Sequence, residues 1–206
     1  MKETDIRKIK RTLEKTLDEK RYEHTLAVAH TAAALAMRYC SAMGDSMEVF
    51  MENAFLAGLL HDCGKGIDRD KRIAFCEKHN IMISECERKN PSLLHAKVGG
   101  FLAMDTFKVH DGDIINAILN HNTGRPDMSL LEKVVFVADY IEPGRNQAPN
   151  LAKIRKMAFM DLDKAVVHIL EDTLDYISKK EKEIDPKTQM TYDFYKELCD
   201  KKHEQQ

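Results

Sequence analysis

His61 and Asp62 stand side by side at the end of the apolar run Ala54-Phe55-Leu56-Ala57-Gly58-Leu59-Leu60. A neutral imidazole and a carboxylate so placed can grip one divalent cation, and Gly64 and Gly66 let the backbone turn away at once. His24 precedes the pair by 37 residues, and His95, His121 and Asp139 follow it. Each lies in or at the end of a predicted helix beside apolar neighbours. Asp139, between Phe136-Val137-Ala138 and Tyr140-Ile141, is expected to be buried. A buried carboxylate needs a cation or strong donors, so either a metal or a paired arginine would answer it. Three basic residues trail these candidates: Lys65 after Asp62, Arg125 after His121 and Arg145 after Asp139. If they converge on one mouth they can hold phosphate oxygens, with Asn122 and Thr123 as neutral donors beside them.

The elements that must place these residues are helical almost throughout. Ile6, Ile9, Leu13 and Leu17 recur at helical spacing, and Leu26, Ala29, Ala33 and Ala36 repeat it in the next segment. Val49, Ala54, Leu56, Leu59 and Leu60 form the helix that delivers His61. Asp68 is expected to cap a short helix through Phe75, and Pro91-Ser92 to open one with His95 in its first turn. The helix of Ile114, Ile115, Ile118 and Leu119 runs into His121 and stops at Gly124-Arg125-Pro126. Asp127 and Ser129 can cap the helix Leu130 to Asp139, whose valines alone could read as a strand but would have no visible partner. Helices at Leu151–Phe159, Leu162–Ser178 and Thr188–Leu198 complete an all-α, single globular bundle.

Composition narrows the class. At 206 residues with a formal net charge of −2, the chain can bury a full core and lacks the basic excess of a nucleic-acid binder. No segment approaches the roughly 20 apolar residues of a membrane span, and the charged start Met1-Lys2-Glu3-Thr4-Asp5 lacks a signal-peptide core. Five cysteines without a C-x-x-C spacing point to a reducing compartment, by default the cytoplasm. His30 lies about 120° around its helix from His24 and is read as structural. His79, His110, His168 and His203 are read as surface histidines, the eleven methionines as core filler, Cys63 as packing, and the run Lys179 to Glu183 as a solvated helix end.

The order H…HD…D of His24, His61-Asp62 and Asp139 resembles the HD-domain phosphohydrolases. The stretches Arg21–Leu26, Leu59–Lys65, Leu94–Gly99, His121–Pro126, Ala138–Arg145 and Asp161–Ala165 are more closely similar to the YqeK-type members, over roughly Leu17 to Tyr195. Gly64 and Asn122 stand where many members carry alanine and threonine. The resemblance implies one HD domain over residues 1–206 with an N-terminal helix and a C-terminal helical extension. It further implies an iron-dependent, symmetrical dinucleoside tetraphosphatase that cleaves diadenosine tetraphosphate to two ADP. His24, His61, Asp62 and Asp139 would ligate one iron, and Asp62, His95 and His121 the other. A metal-bound hydroxide would attack an inner phosphorus while Lys65, Arg125 and Arg145 hold the chain. On ligand chemistry alone, iron, manganese and zinc all fit better than magnesium. A homodimer is left open. Two rivals stand beside this reading: an HD hydrolase of nucleoside monophosphates or cyclic dinucleotides, though Asn122–Pro126 lacks the Gly-Tyr-Pro signature of the latter group, and a nucleotide sensor with a vestigial site.

Overall fold

Helical periodicity in the chain becomes helix in space. The computed structural model describes residues 3–40, 46–180 and 183–204, and every regular element among them is helical. In order these are α1 (Glu3–Thr16), α2 (Glu19–Tyr39), α3 (Met47–Leu60), α4 (Arg72–Lys78), α5 (Glu85–Lys89), α6 (His95–Asp105), α7 (Gly112–Asn120), α8 (Leu130–Ile141), α9 (Leu151–Ala158), α10 (Leu162–Lys179) and α11 (Pro186–Glu204). Short 3-10 turns cover Cys63–Gly66, Arg69–Lys71 and Pro91–Leu94. No helix among the described residues is long and apolar enough to cross a membrane.

Side chains set several of the helix starts. Asp18 accepts the Arg21 amide at 3.0 Å to open α2, Asp111 accepts those of Asp113 and Ile114 to open α7, and Asp161 accepts that of Lys164 to open α10. Ser129 and Glu132 form a reciprocal capping box at the head of α8, which is a helix and not a strand. Two expected caps are corrected. Asp68 accepts no backbone amide and instead pairs with the Lys71 ammonium at 2.8 Å. Asp127 takes a positive φ of 52° in the turn and leaves the capping to Ser129.

Helix α2 lies between α3 and α8. Gly58 makes the first of these contacts close: a Cβ there would stand 2.9 Å from the Ala29 Cα. Val28, Ala29, Ala32, Leu35, Leu59, Leu60, Val134 and Ala138 are all fully buried in the resulting core. Each large aliphatic side chain so placed contributes roughly 1.5–3 kcal/mol of transfer free energy, which fixes the rotation of the helices that end at the site. A smaller cluster of Cys76, Leu94 and Val98 supports the turn before α6.

The methionines correct the reading as core filler. Met37, Met47, Met82, Met104, Met160 and Met190 are exposed, and only Met128 among the described ones is fully buried. His79 is not a free surface residue either, since its ring packs against Phe75 and Phe101 at 4.5 and 4.3 Å between centroids. His168 pairs with Glu171, and His30, exposed, meets the edge of Phe55. Met1, Lys2, Met43, Glu181 and Lys182 lie outside the described residues, as does the His203 side chain.

Glu132 joins the cap of α8 to more distant parts. It is buried, accepts the Arg125 guanidinium through both oxygens at 2.7 and 2.6 Å, and accepts the Asn120 amide at 2.7 Å. Asn120 in turn accepts the Lys187 ammonium of α11 at 2.5 Å. Glu132→Ala removes the common acceptor and leaves buried donors unpaired. We expect a loss of about 2–4 kcal/mol of stability, read as a lower urea midpoint at unchanged slope.

Candidate metal centre

Five of the six candidate donors sit at helix ends, two of them, His61 and His121, just past a last turn whose carbonyls are free. His61 ends α3, His121 ends α7, His95 opens α6, and Asp139 lies in the last turn of α8. His24 comes from the interior of α2. Three of the imidazoles donate Nδ1–H to the carbonyl three residues earlier: His61 to Gly58 at 2.6 Å, His95 to Ser92 at 2.6 Å, and His121 to Ile118 at 2.7 Å. A carbonyl only accepts, so the proton is on Nδ1 and the lone pair of each Nε2 points inward. His24 is oriented by a carboxylate instead, with Nδ1 donating to Glu142 at 3.1 Å.

These lone pairs meet one another. The Nε2 atoms of His95 and His121 are 3.0 Å apart, and Asp62 Oδ1 lies 3.4 and 3.5 Å from them. The other Asp62 oxygen lies 3.4 Å from His61 Nε2 and 3.9 Å from His24 Nε2. His24 Nε2 is also 3.0 Å from Asp139 Oδ1. Donors roughly 3 Å apart are what neighbouring ligands with bonds of about 2.1 Å require. Within this space His24, His61 and Asp139 form one compact group of donors, and His61, Asp62 and His121 another.

Burial gives the arrangement its sign. The side chains of His61, Asp62 and His121 are no more than 1% exposed, against 19% for His24 and 21% for Asp139, so the cluster opens to solvent at the Asp139 end. Burial and the facing His121 push His95 down to about 3. Burial opposes the charge on Asp62, yet the Lys65 ammonium on its outer oxygen helps hold the carboxyl well below the usual range. Asp139 is only half-buried, which corrects its expected full burial; desolvation still opposes its charge, and the His24 ring and the Arg145 guanidinium hold the carboxyl low. His61 Nε2 and Asp62 Oδ1 are buried without a hydrogen-bond partner. Unpaired polar atoms of this kind cost about 1–3 kcal/mol each, and more when charged. The donors therefore fit divalent cations, which would satisfy both orphaned atoms and the opposed lone pairs.

The cations expected at one mouth divide. Lys65 Nζ reaches Asp62 Oδ2 at 2.6 Å, and Arg145 reaches Asp139 Oδ1 at 2.8 Å and its carbonyl at 3.1 Å. Arg125 corrects the expectation of convergence, because its fork is committed to Glu132 and its remaining nitrogen donates to the Pro126 carbonyl. Asn122 and Thr123 line a cavity of about 530 Å³ with Leu93, Ala96, Lys97 and Lys187, next in sequence to His95 and His121. Gly64 is required by a close approach: a Cβ there would stand 2.1 Å from the His95 carbonyl oxygen. The glycine where many members of the similar family carry alanine thus has a steric reason in this chain. Cys63 is buried beside it, its thiol 3.5 Å from the Gly99 carbonyl, and burial pushes that thiol up.

Glu142 was not singled out by sequence reasoning. Its spacing of three from Asp139 at a helix end places both carboxylates on one face, which is the signal that could have found it. The turn that holds it is gripped by Arg155, which donates to the carbonyls of Ile141, Glu142 and Arg145 at 2.7–2.9 Å.

Residues 21–144 match the HD domain family. The symmetrical bis(5'-nucleosyl)-tetraphosphatase of Bacillus subtilis (strain 168) is 39% identical over 86% of this chain and 90% of its own length. The protein of the same name from Halalkalibacterium halodurans is 38% identical, over 85% and 89% of the two chains. A crystal structure from Clostridium acetobutylicum, described as a "predicted HD superfamily hydrolase involved in NAD metabolism", aligns with a TM-score of 0.86 at 36% identity, covering 94% of this chain and 97% of that one.

Glu142→Gln keeps the shape of the side chain that orients His24 but removes its charge. We expect metal affinity, measured by competition with a chelator, to fall about 10–100-fold while the circular dichroism spectrum stays unchanged.

Proposed function

The chain belongs to the HD-domain hydrolases, in their YqeK-type branch, and we propose that it cleaves diadenosine tetraphosphate symmetrically into two ADP at a dinuclear centre. The observation that carries this reading is the pair of orphaned buried atoms, His61 Nε2 and Asp62 Oδ1, at the junction of two donor groups. In this reading His24, His61, Asp62 and Asp139 hold one cation, and Asp62, His95 and His121 the second. Iron is our first choice, with manganese and zinc as alternatives. Bound there, such cations supply Lewis-acid charge against the phosphate oxygens and make water a better nucleophile near neutral pH.

The rest of the work falls to the chain itself. Asp62 presents one oxygen to each donor group, so it sets the spacing between them. Lys65 and Arg145 rest on Asp62 and Asp139, and both have flexible stems whose charges phosphate oxygens can compete for. Asn122 and Thr123 form a wall of the adjoining cavity and take one nucleoside end. Arg125, tied to Glu132, fixes the loop that bears them rather than touching phosphate. Water adds to an inner phosphorus, the central anhydride P–O bond breaks, and each half leaves as a nucleoside diphosphate. All five cysteines are free and buried, which suits our assignment to the cytoplasm.

Anaerobic incubation of the protein with ferrous iron and diadenosine tetraphosphate, resolved by anion exchange, is expected to give ADP alone. ATP with AMP, or cleavage only of nucleoside monophosphates or cyclic dinucleotides, would overturn the substrate assignment. Asp62→Ala should lower kcat at least about 1,000-fold and reduce bound metal, whereas full activity in that variant would sink the dinuclear proposal. Arg145→Ala should keep its metal content and raise KM about 10-fold or more.

A further inference from the structure

A second cavity, of about 400 Å³, adjoins the other end of the centre. Its lining includes Tyr140, Arg145, Asn146, Gln147, Asp172 and Tyr176. Tyr140 follows Asp139 in the chain, and Arg145 lines the cavity while its guanidinium rests on the Asp139 carboxylate. We propose that this cavity is a second nucleoside subsite, which receives the purine ring and ribose at the far end of the dinucleotide. The proposal rests on the tetraphosphatase reading and adds the place where the other half of a symmetrical substrate is held.

Three features argue for a built cavity rather than a gap under a loop. The loop from Glu142 to Asn150 is fixed at both ends: Arg155 binds the carbonyls of Ile141, Glu142 and Arg145, and the Asn150 amide donates to Asp172 Oδ1 at 2.9 Å. The wall between the cavity and the core is tied as well, because the Tyr140 hydroxyl donates to Asp172 Oδ2 at 3.0 Å. Between these anchors the Tyr176 ring stands 58% exposed at the cavity edge, with the Lys180 ammonium 6.0 Å from its centroid. An aromatic face left open to solvent is a ready stacking surface for a base. The exposed amides of Asn146 and Gln147 supply the donors and acceptors that a base edge needs.

Geometry also suits a long, doubly ended substrate. The cavity bearing Asn122 and Thr123 is lined by the chain neighbours of His95 and His121, and this one by the chain neighbour of Asp139 and by Arg145, which rests on Asp139. In this arrangement the polyphosphate runs from one cavity to the other across the donors, with Arg145 beside the phosphates that lead into the second cavity. Its volume falls within the roughly 300–1,000 Å³ of small-molecule sites.

Equilibrium dialysis of radiolabelled ADP against the iron-loaded protein tests the proposal, with hydrolysis of diadenosine tetraphosphate measured in parallel. We expect two ADP per chain, and in Tyr176→Ala one of the two sites weakened about 10-fold with the other unchanged. Tyr176 is exposed, so the variant should fold, and Gln147→Ala offers an independent second probe of the same site. One ADP per chain, or two sites untouched by both variants, overturns the subsite even if the dinucleotide is cleaved to ADP. Absence of both ADP binding and dinucleotide cleavage overturns the tetraphosphatase reading and the subsite with it.

Discussion

Two imidazole lone pairs face each other across 3.0 Å, because each ring spends its Nδ1 proton on a backbone carbonyl. That opposition is the constraint around which the structure is arranged. Each ring is aimed by a bond from Nδ1 to a carbonyl three residues earlier. For His121 the carbonyl belongs to the last turn of α7, which leaves it without a helical partner, and for His95 it belongs to the 3-10 turn ahead of α6. The same device fixes His61. The apolar core need only bring the ends of α3, α7 and α8 together with the head of α6, and the backbone then aims the rings.

Charge follows the same geometry. Asp62 carries negative charge into low-dielectric surroundings and Asp139 stands at the opening to solvent, and Lys65 and Arg145 lie on them. Each base is tethered within six residues of its carboxylate, so the pairing is local and needs little chain entropy to form. Glu142 extends the acidic set behind His24, and Arg155 grips the carbonyls of its turn. The centre therefore has a rigid inner wall of histidines and an outer rim of long, reorientable cations.

Much of this was legible in the sequence. The six donors could be read because imidazoles and carboxylates at the ends of apolar runs have few other reasons to be there. The helices of the core were legible from their 3.6-residue period, down to the valine-rich α8. Other features resisted for physical reasons. Arg125 trails a candidate donor in the sequence much as Lys65 and Arg145 do, and only the fold shows that a buried Glu132 claims it. Methionine occurs on apolar faces, but an apolar face at the rim of a small bundle need not be covered, and six of the described methionines are not. Glu142 looked like part of a loop because a Pro-Gly pair follows it. Gly64 looked replaceable because a sequence does not display the carbonyl of His95 above it.

The chain of contacts from Arg125 and Glu132 through Asn120 to Lys187 makes the family boundary and the physical boundary differ. The family match ends at residue 144, but Lys187 lies beyond it, on α11, and bonds to the residue immediately before His121. The C-terminal helix is thus a brace on the second donor group rather than an appendage. A portable unit for transplanting this centre into another scaffold would have to include α11, and its edges would be drawn by polar connectivity instead of sequence similarity.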